Sequence, residues 1–348
     1  MKKLWLFLFC ITALILFTNE AHATHASYDT IECPVCSNSF KTQLLTSSNS
    51  FGGHDRDLMK YASGDQPILI SPITCNKCYY SGYENDFKAS EANLSDAIKK
   101  AILSEKNLKP CHAPIKDANS LSGAGHIPAF ARYDLIAQSY KLRGKDSEEI
   151  FGQYLSASWA ARMEAGLLIN LNESVKLDIY SWVEKNIETS EITAAEKNAA
   201  YVEIIFARRL VEKAKKTTGP DLEKCLMGAI LLFRDHGENA EVEKLLPILQ
   251  KSMAAEKFEK FAKILKETIE IERNFQKKAI EILMSKLESG KKIKYEDQKA
   301  YLYYIVAELS RRTLEYDKAK IFYKKAGELN KLPPPIDKYV KEQLELCN

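Results

Sequence analysis

Apolar and polar positions divide the chain into three textures. From Leu4 to Phe17 apolar residues run almost unbroken, after Lys2 and Lys3 and before Ala21-His22-Ala23. From about residue 27 to 86, short and partly alternating apolar runs are separated by Gly, Pro, Ser and Asn. Asp29-Thr30-Ile31-Glu32, Ser39 to Leu45 and Pro67 to Ile73 read as short strands bounded by turn residues. Between the last two, Thr46 to Gly64 is polar and glycine-rich, including Phe51-Gly52-Gly53-His54-Asp55. From about residue 92 the spacing turns helical. Ser95 is placed to cap a helix reaching about Glu105, which Pro110-Cys111-His112-Ala113-Pro114 then breaks. From Pro128 onward apolar residues recur three and four apart, as in Tyr201, Ile204, Ile205, Phe206, Leu210 and Val211. Gly144, Gly219-Pro220, Gly237, Gly290 and Pro333-Pro334-Pro335 punctuate that pattern as helix ends.

Two stretches of the helical part carry tetratricopeptide-like spacing, with small residues where paired helices touch and a large one between them. Ala307 is followed at the motif's own interval by Ala319, Tyr323 and Ala326, and Lys331-Leu332-Pro333 closes the unit. Ala137, Tyr140 and Gly144 fit a first helix and turn, and Ile150, Tyr154 and Ala157 follow with one residue inserted. Residues 170 to 290 have helical-hairpin texture without a clean match. The expected fold is mostly α: an α-solenoid of tetratricopeptide-like hairpins over residues 125–346, preceded by a small β module over 27–86 and a helix and linker over 87–124. An irregular helical bundle is the competing arrangement.

Composition adds limits. A chain of 348 residues can bury a substantial core without covalent staples. A net charge of +3 does not mark a dedicated nucleic-acid binder, and short basic runs such as Lys291-Lys292-Ile293-Lys294 read as solvated helix ends. The order of positive, apolar and small residues at the N-terminus is that of a secretory signal peptide over residues 1–23. The expected product is exported, periplasmic or extracellular, with no stable membrane insertion after cleavage. Losing Cys10 with that segment leaves seven of the eight cysteines, and an odd number cannot all pair.

Four of the seven form the clearest chemical signal. Cys33-Pro34-Val35-Cys36 and Cys75-Asn76-Lys77-Cys78 each follow a strand-like run. A tight turn within each pair points both sulfurs at one place, and two such knuckles supply four sulfur ligands for a closed tetrahedral site. The reading is one metal ion on Cys33, Cys36, Cys75 and Cys78, with zinc ranked first. Two disulfides rank second, favoured by an oxidising compartment, and a four-thiolate iron site third. A redox Cys-x-x-Cys would open a helix, which Pro34 and the extended flanks do not suggest. His54 is a further candidate ligand, with a solvated loop histidine the plainer reading. Cys111-His112 reads as a loop pair, Cys225 as core, and Cys347 as a partner for Cys111 if the chain ends meet. Trp159 reads as packing, while Arg208-Arg209 and Arg311-Arg312 read as exposed helix arginines, with a concave anion-binding groove the alternative. No phosphate loop, zinc-protease helix, nucleophile elbow or paired-carboxylate motif occurs.

Two blocks together resemble a known family. The first runs from the Cys33 knuckle through Asp55, Asp57, Tyr61 and Gln66-Pro67 to Cys75-Asn76-Lys77-Cys78-Tyr79-Tyr80. The second holds Tyr133-Asp134-Leu135-Ile136-Ala137-Gln138-Ser139-Tyr140 and Tyr154-Leu155-Ser156-Ala157-Ser158-Trp159-Ala160-Ala161-Arg162. The chain is similar to uncharacterised bacterial proteins, catalogued as a domain of unknown function, that join a zinc-ribbon-like module to a tetratricopeptide-like domain. The resemblance implies the same four ligands; Ser37 and Tyr79 depart from it, standing where such knuckles often carry glycine. The expected function is a non-enzymatic scaffold or adaptor, stabilised by metal, that binds a protein or peptide on its concave helical surface. The alternative is a thiol–disulfide oxidoreductase or metal-handling protein acting through the same cysteines.

Overall fold

Each Cys-x-x-Cys pair sits at the turn of a hairpin. The computed structural model describes residues 24–88, 92, 94–104, 107–112, 127–168, 199–289, 295–334 and 336–347. The expected signal peptide, much of the linker, the Lys291–Lys294 run and part of the repeat-poor stretch lie outside the described residues. Strands β1 (His25–Glu32) and β2 (Ser39–Ser47) are antiparallel, with Ile31 opposite Phe40. Strands β3 (Ile73–Thr74) and β4 (Ser81–Gly82) form a second, shorter hairpin. The strand expected over Pro67 to Ile73 is mostly a single helical turn, α1 (Pro67–Ile70), with proline in its first turn. Proline at that position presets the helical backbone angle and loses no hydrogen bond. Helices α2 (Glu84–Phe87) and α3 (Asp96–Leu103) follow, and the Ser95 hydroxyl caps α3 by accepting from Ile98 N at 3.3 Å.

The rest is helical among the described residues: α4 (Ala129–Leu142), α5 (Ser147–Leu168), α6 (Ala199–Ala214), α7 (Pro220–Asp235), α8 (Asn239–Gln250), α9 (Ala255–Glu288), α10 (Glu296–Arg312), α11 (Tyr316–Glu328) and α12 (Ile336–Glu345). Three apolar clusters organise them. One joins α4, α5, the C-terminal half of α9, α10, α11 and α12. A second joins α6, α7, α8 and the N-terminal half of α9, with Cys225 at its centre as expected. The third is the knuckle module, where Phe40, Ile73, Tyr80 and Phe87 pack with Ile102 and with Leu135 of α4. The small positions picked out by spacing are fully buried: Ala137, Ala157, Ala307, Ala319 and Ala326. Helix α9 has 34 residues, about 50 Å at the helical rise, and α5 packs along it. No helix among the described residues is long and apolar enough to cross a membrane.

Many polar contacts seat the module on the helical array. Arg132 of α4 donates to the carbonyls of Leu69 and Pro72. Arg143 pairs with Asp86 at 2.6 Å, and the Tyr83 hydroxyl donates to Gln153.

Candidate metal centre

The two knuckles share one backbone design. Ser37 N donates to Cys33 O and Cys33 N to Asn38 O; Tyr79 N donates to Cys75 O and Cys75 N to Tyr80 O, all at 2.9–3.0 Å. Closing so tight a turn puts Ser37 at φ 54° and Tyr79 at φ 59°, the left-handed region that glycine enters without strain. These are the two positions where the sequence departs from glycine.

That backbone brings the four sulfurs to one place. All lie within 4.8 Å of one another. The nearest pairs run across the knuckles, Cys33 to Cys78 and Cys36 to Cys75, each at 3.6 Å. Four ligands about 2.3 Å from a central ion would stand roughly 3.8 Å apart, close to what is seen. Cys33 and Cys75 are fully buried, while Cys36 and Cys78 reach the surface in part. Hydrogen bonding from Cys33 and then Cys78 lowers the Cys75 thiol below its ordinary value, helped by the N–H groups of Cys78 and Lys77. Its hydrogen bond with Cys75 pushes the Cys33 thiol up to about 12, and Cys78 is raised as well. Four sulfurs gathered in this way could hold a metal ion.

The remaining single-residue expectations fare differently. His54 faces away toward α12, its Nε2 3.2 Å from the Tyr339 hydroxyl. Cys111 is exposed and Cys347 buried, and both are free; the Cys347 thiol donates to Gln343 O instead. Trp159 packs against the first apolar cluster, and its indole N–H is buried without a partner. The expectation of exposed arginines fails at Arg311 and Arg312, which are 7% and 3% exposed.

Those arginines belong to a feature that local spacing does not reveal. The loop between the knuckles enters the helical array and buries Asp55 and Asp57 there. The Arg162 guanidinium bridges Asp55, Asp57 and Glu272. Arg234 pairs with Glu272, and Arg312 with Glu308 at 2.7 Å and Asp57 at 3.6 Å. Arg311 pairs with Glu308 and Glu238, and the Tyr323 hydroxyl donates to Glu308. His236 sits between Asp55 at 2.7 Å and Glu203 at 2.8 Å. The Tyr61 hydroxyl donates to Asp55, and Tyr304 donates to Arg56 O.

Burial alone would neutralise these groups, and their neighbours prevent it. It would lower His236, but Asp55 and Glu203 raise its pKa to about 10. It would raise Glu272 and Glu308, but arginines hold both at about 2. Asp55 is likewise held below its ordinary value by His236, Arg162 and Arg312. Gly237, at φ 68°, leaves room for this packing. A Cβ there would fall on Arg312 Nη1 and lie 2.7 Å from Arg162 Cζ.

A sequence-family model described as an uncharacterized protein conserved in bacteria (DUF2225) matches residues 27–269. No curated protein and no solved structure matches the chain.

Proposed function

The chain belongs to that bacterial family, DUF2225, and on this footing we propose that it is an exported, non-enzymatic scaffold whose N-terminal module is folded around one zinc ion. Cys33, Cys36, Cys75 and Cys78 hold the ion, making the module zinc-ribbon-like. Zinc supplies four bonds that tie two hairpins together, and in a unit this small the binding energy becomes folding energy. The helical part acts as a solenoid of tetratricopeptide-like hairpins that takes a protein or peptide partner. Export to the periplasm or beyond rests on the N-terminal residue pattern.

One observation carries the reading: four thiols on two matching knuckles, all within 4.8 Å. Support for the repeat reading comes from the buried small residues at the α4–α5 and α10–α11 crossings. Elemental analysis with a thiol titration tests the centre. One zinc per chain is expected, with the four thiols protected until a chelator is added, and Cys33→Ser should lose the metal. Metal-free protein with four of its thiols oxidised would reject the proposal. The half-exposed Cys36 and Cys78 favour a second reading, thiol–disulfide exchange or metal handling. That reading requires the mature protein to reduce a test disulfide or to pass its ion to an acceptor.

A further inference from the structure

The loop from Gly52 to Ala62 is a self-contained hairpin. Gly52 N donates to Tyr61 O, Tyr61 N to Gly53 O and Asp55 N to Met59 O. Its tip offers two carboxylates, two residues apart. The helical surface that receives it has the opposite balance. It presents the guanidiniums of Arg162, Arg234, Arg311 and Arg312 and the imidazole of His236, beside the carboxylates of Glu238, Glu272 and Glu308. Asp55 meets Arg162 and His236, and Asp57 meets Arg162 and Arg312. Glu203 also touches His236, but from the rim, where it is 46% exposed and water screens it.

Two further observations bear on whether the tip can leave. The chain between Cys36 and Cys75 is 38 residues long, yet those sulfurs stand 3.6 Å apart. Metal on the cluster closes this segment at its root. That lowers the entropy lost when the tip docks and raises the tip's effective concentration at the receptor. One flank of the loop is also open. A cleft of about 590 Å³ is lined by Leu58 and Lys60 of the loop together with Pro67, Ile68, Trp159 and Tyr301, and the indole N–H of Trp159 is buried without a partner.

We propose that the pocket of Arg162, Arg234, His236 and Arg312 is a receptor for paired carboxylates, filled in cis by Asp55 and Asp57 while the four thiols hold a metal ion, and opened to an acidic peptide of a partner when they do not. The proposal rests on the scaffold reading and names the chemistry of the partner: a turn bearing two carboxylates two residues apart. Shape and charge select such a segment because a single carboxylate would leave a buried guanidinium or imidazolium uncompensated.

The test uses the full chain and a fluorescein-labelled synthetic peptide of residues 50–63, with a second peptide carrying Asn at both Asp positions. Anisotropy is measured on metal-loaded and chelated protein. Chelated protein should bind the acidic peptide at least tenfold more tightly than the loaded protein does, and at least tenfold more tightly than it binds the Asn peptide. Chelated protein that keeps its helical circular dichroism yet binds neither peptide, or both alike, overturns the proposal. If chelation melts the helices, gating is refuted, and metal-loaded protein with Asp55→Asn and Asp57→Asn decides the receptor. Folded and binding the acidic peptide, it supports the receptor; folded and silent, or unfolded, it rejects it. Metal content is measured on every sample, so a failed receptor with an intact metal site leaves the scaffold reading standing.

Discussion

At the scale of single residues, Arg162 has the most to lose. Its guanidinium is fully buried and meets three carboxylates. Removing one partner of a buried ion pair leaves charge that water cannot reach, which costs about 3–5 kcal/mol. Arg162→Met should therefore lower the urea-unfolding free energy of the metal-loaded protein by about that much, and a loss below about 1 kcal/mol would mean the network is wet. Gly237 offers an internal control. Gly144 and Gly237 share nearly the same backbone, at φ 67° and 68°, but a Cβ meets nothing at Gly144 and two guanidiniums at Gly237. Gly144→Ala should cost only the left-handed strain, about 1–2 kcal/mol. Gly237→Ala should cost clearly more, and equal losses would argue against the collision.

The knuckles set the argument at the scale of elements. Ser37 is exposed and left-handed, so Ser37→Gly relieves about 1–2 kcal/mol of strain. Part of that gain is offset by glycine's looser unfolded chain. A net stabilisation of about 0.5–1 kcal/mol is expected in thermal melts of loaded protein. Tyr79 has the same backbone but packs against two apolar clusters. Tyr79→Gly should therefore destabilise, and stabilisation by both substitutions would contradict this packing. The knuckles were legible in the sequence because four residues define each turn. The helical texture was legible because its period is local. The strand expected at Pro67 failed because so short an apolar run fits a turn of helix as well. The charge network was hidden for another reason: Asp55 meets Arg162 across 107 positions and His236 across 181. Arg311 and Arg312 end a helix, where exposed cations are the usual case, and nothing nearby in the sequence announces Glu238 beside Arg311 or the loop that brings Asp57 to Arg312.

Over the whole molecule, the network should give stability two pH limits. Carboxylates held low add stability that is complete above their unfolded value, 4.5 for Glu272 and Glu308. It is lost as pH falls toward their folded value of about 2. His236 works the other way. Its contribution is complete below 6.5 and disappears as pH rises toward about 10. The network's own contribution to thermal stability should be greatest between about pH 4.5 and 6.5. His236→Gln should flatten the alkaline decline and leave the acid limb in place. An unchanged alkaline slope in calorimetry would show that the imidazole enters no such balance.

The length of α9 also says where this protein can be cut. The family match stops at residue 269, in the middle of a helix that continues to Glu288. A fragment ending there would lack Glu272, the shared partner of Arg162 and Arg234. It would also lack Phe275, Ala279 and Leu283, which α9 gives to the first apolar cluster. The family boundary is thus not a unit of folding. Residues 27–269 produced alone should be aggregation-prone and melt without a cooperative transition, whereas the helical part of the chain through Cys347 should melt cooperatively.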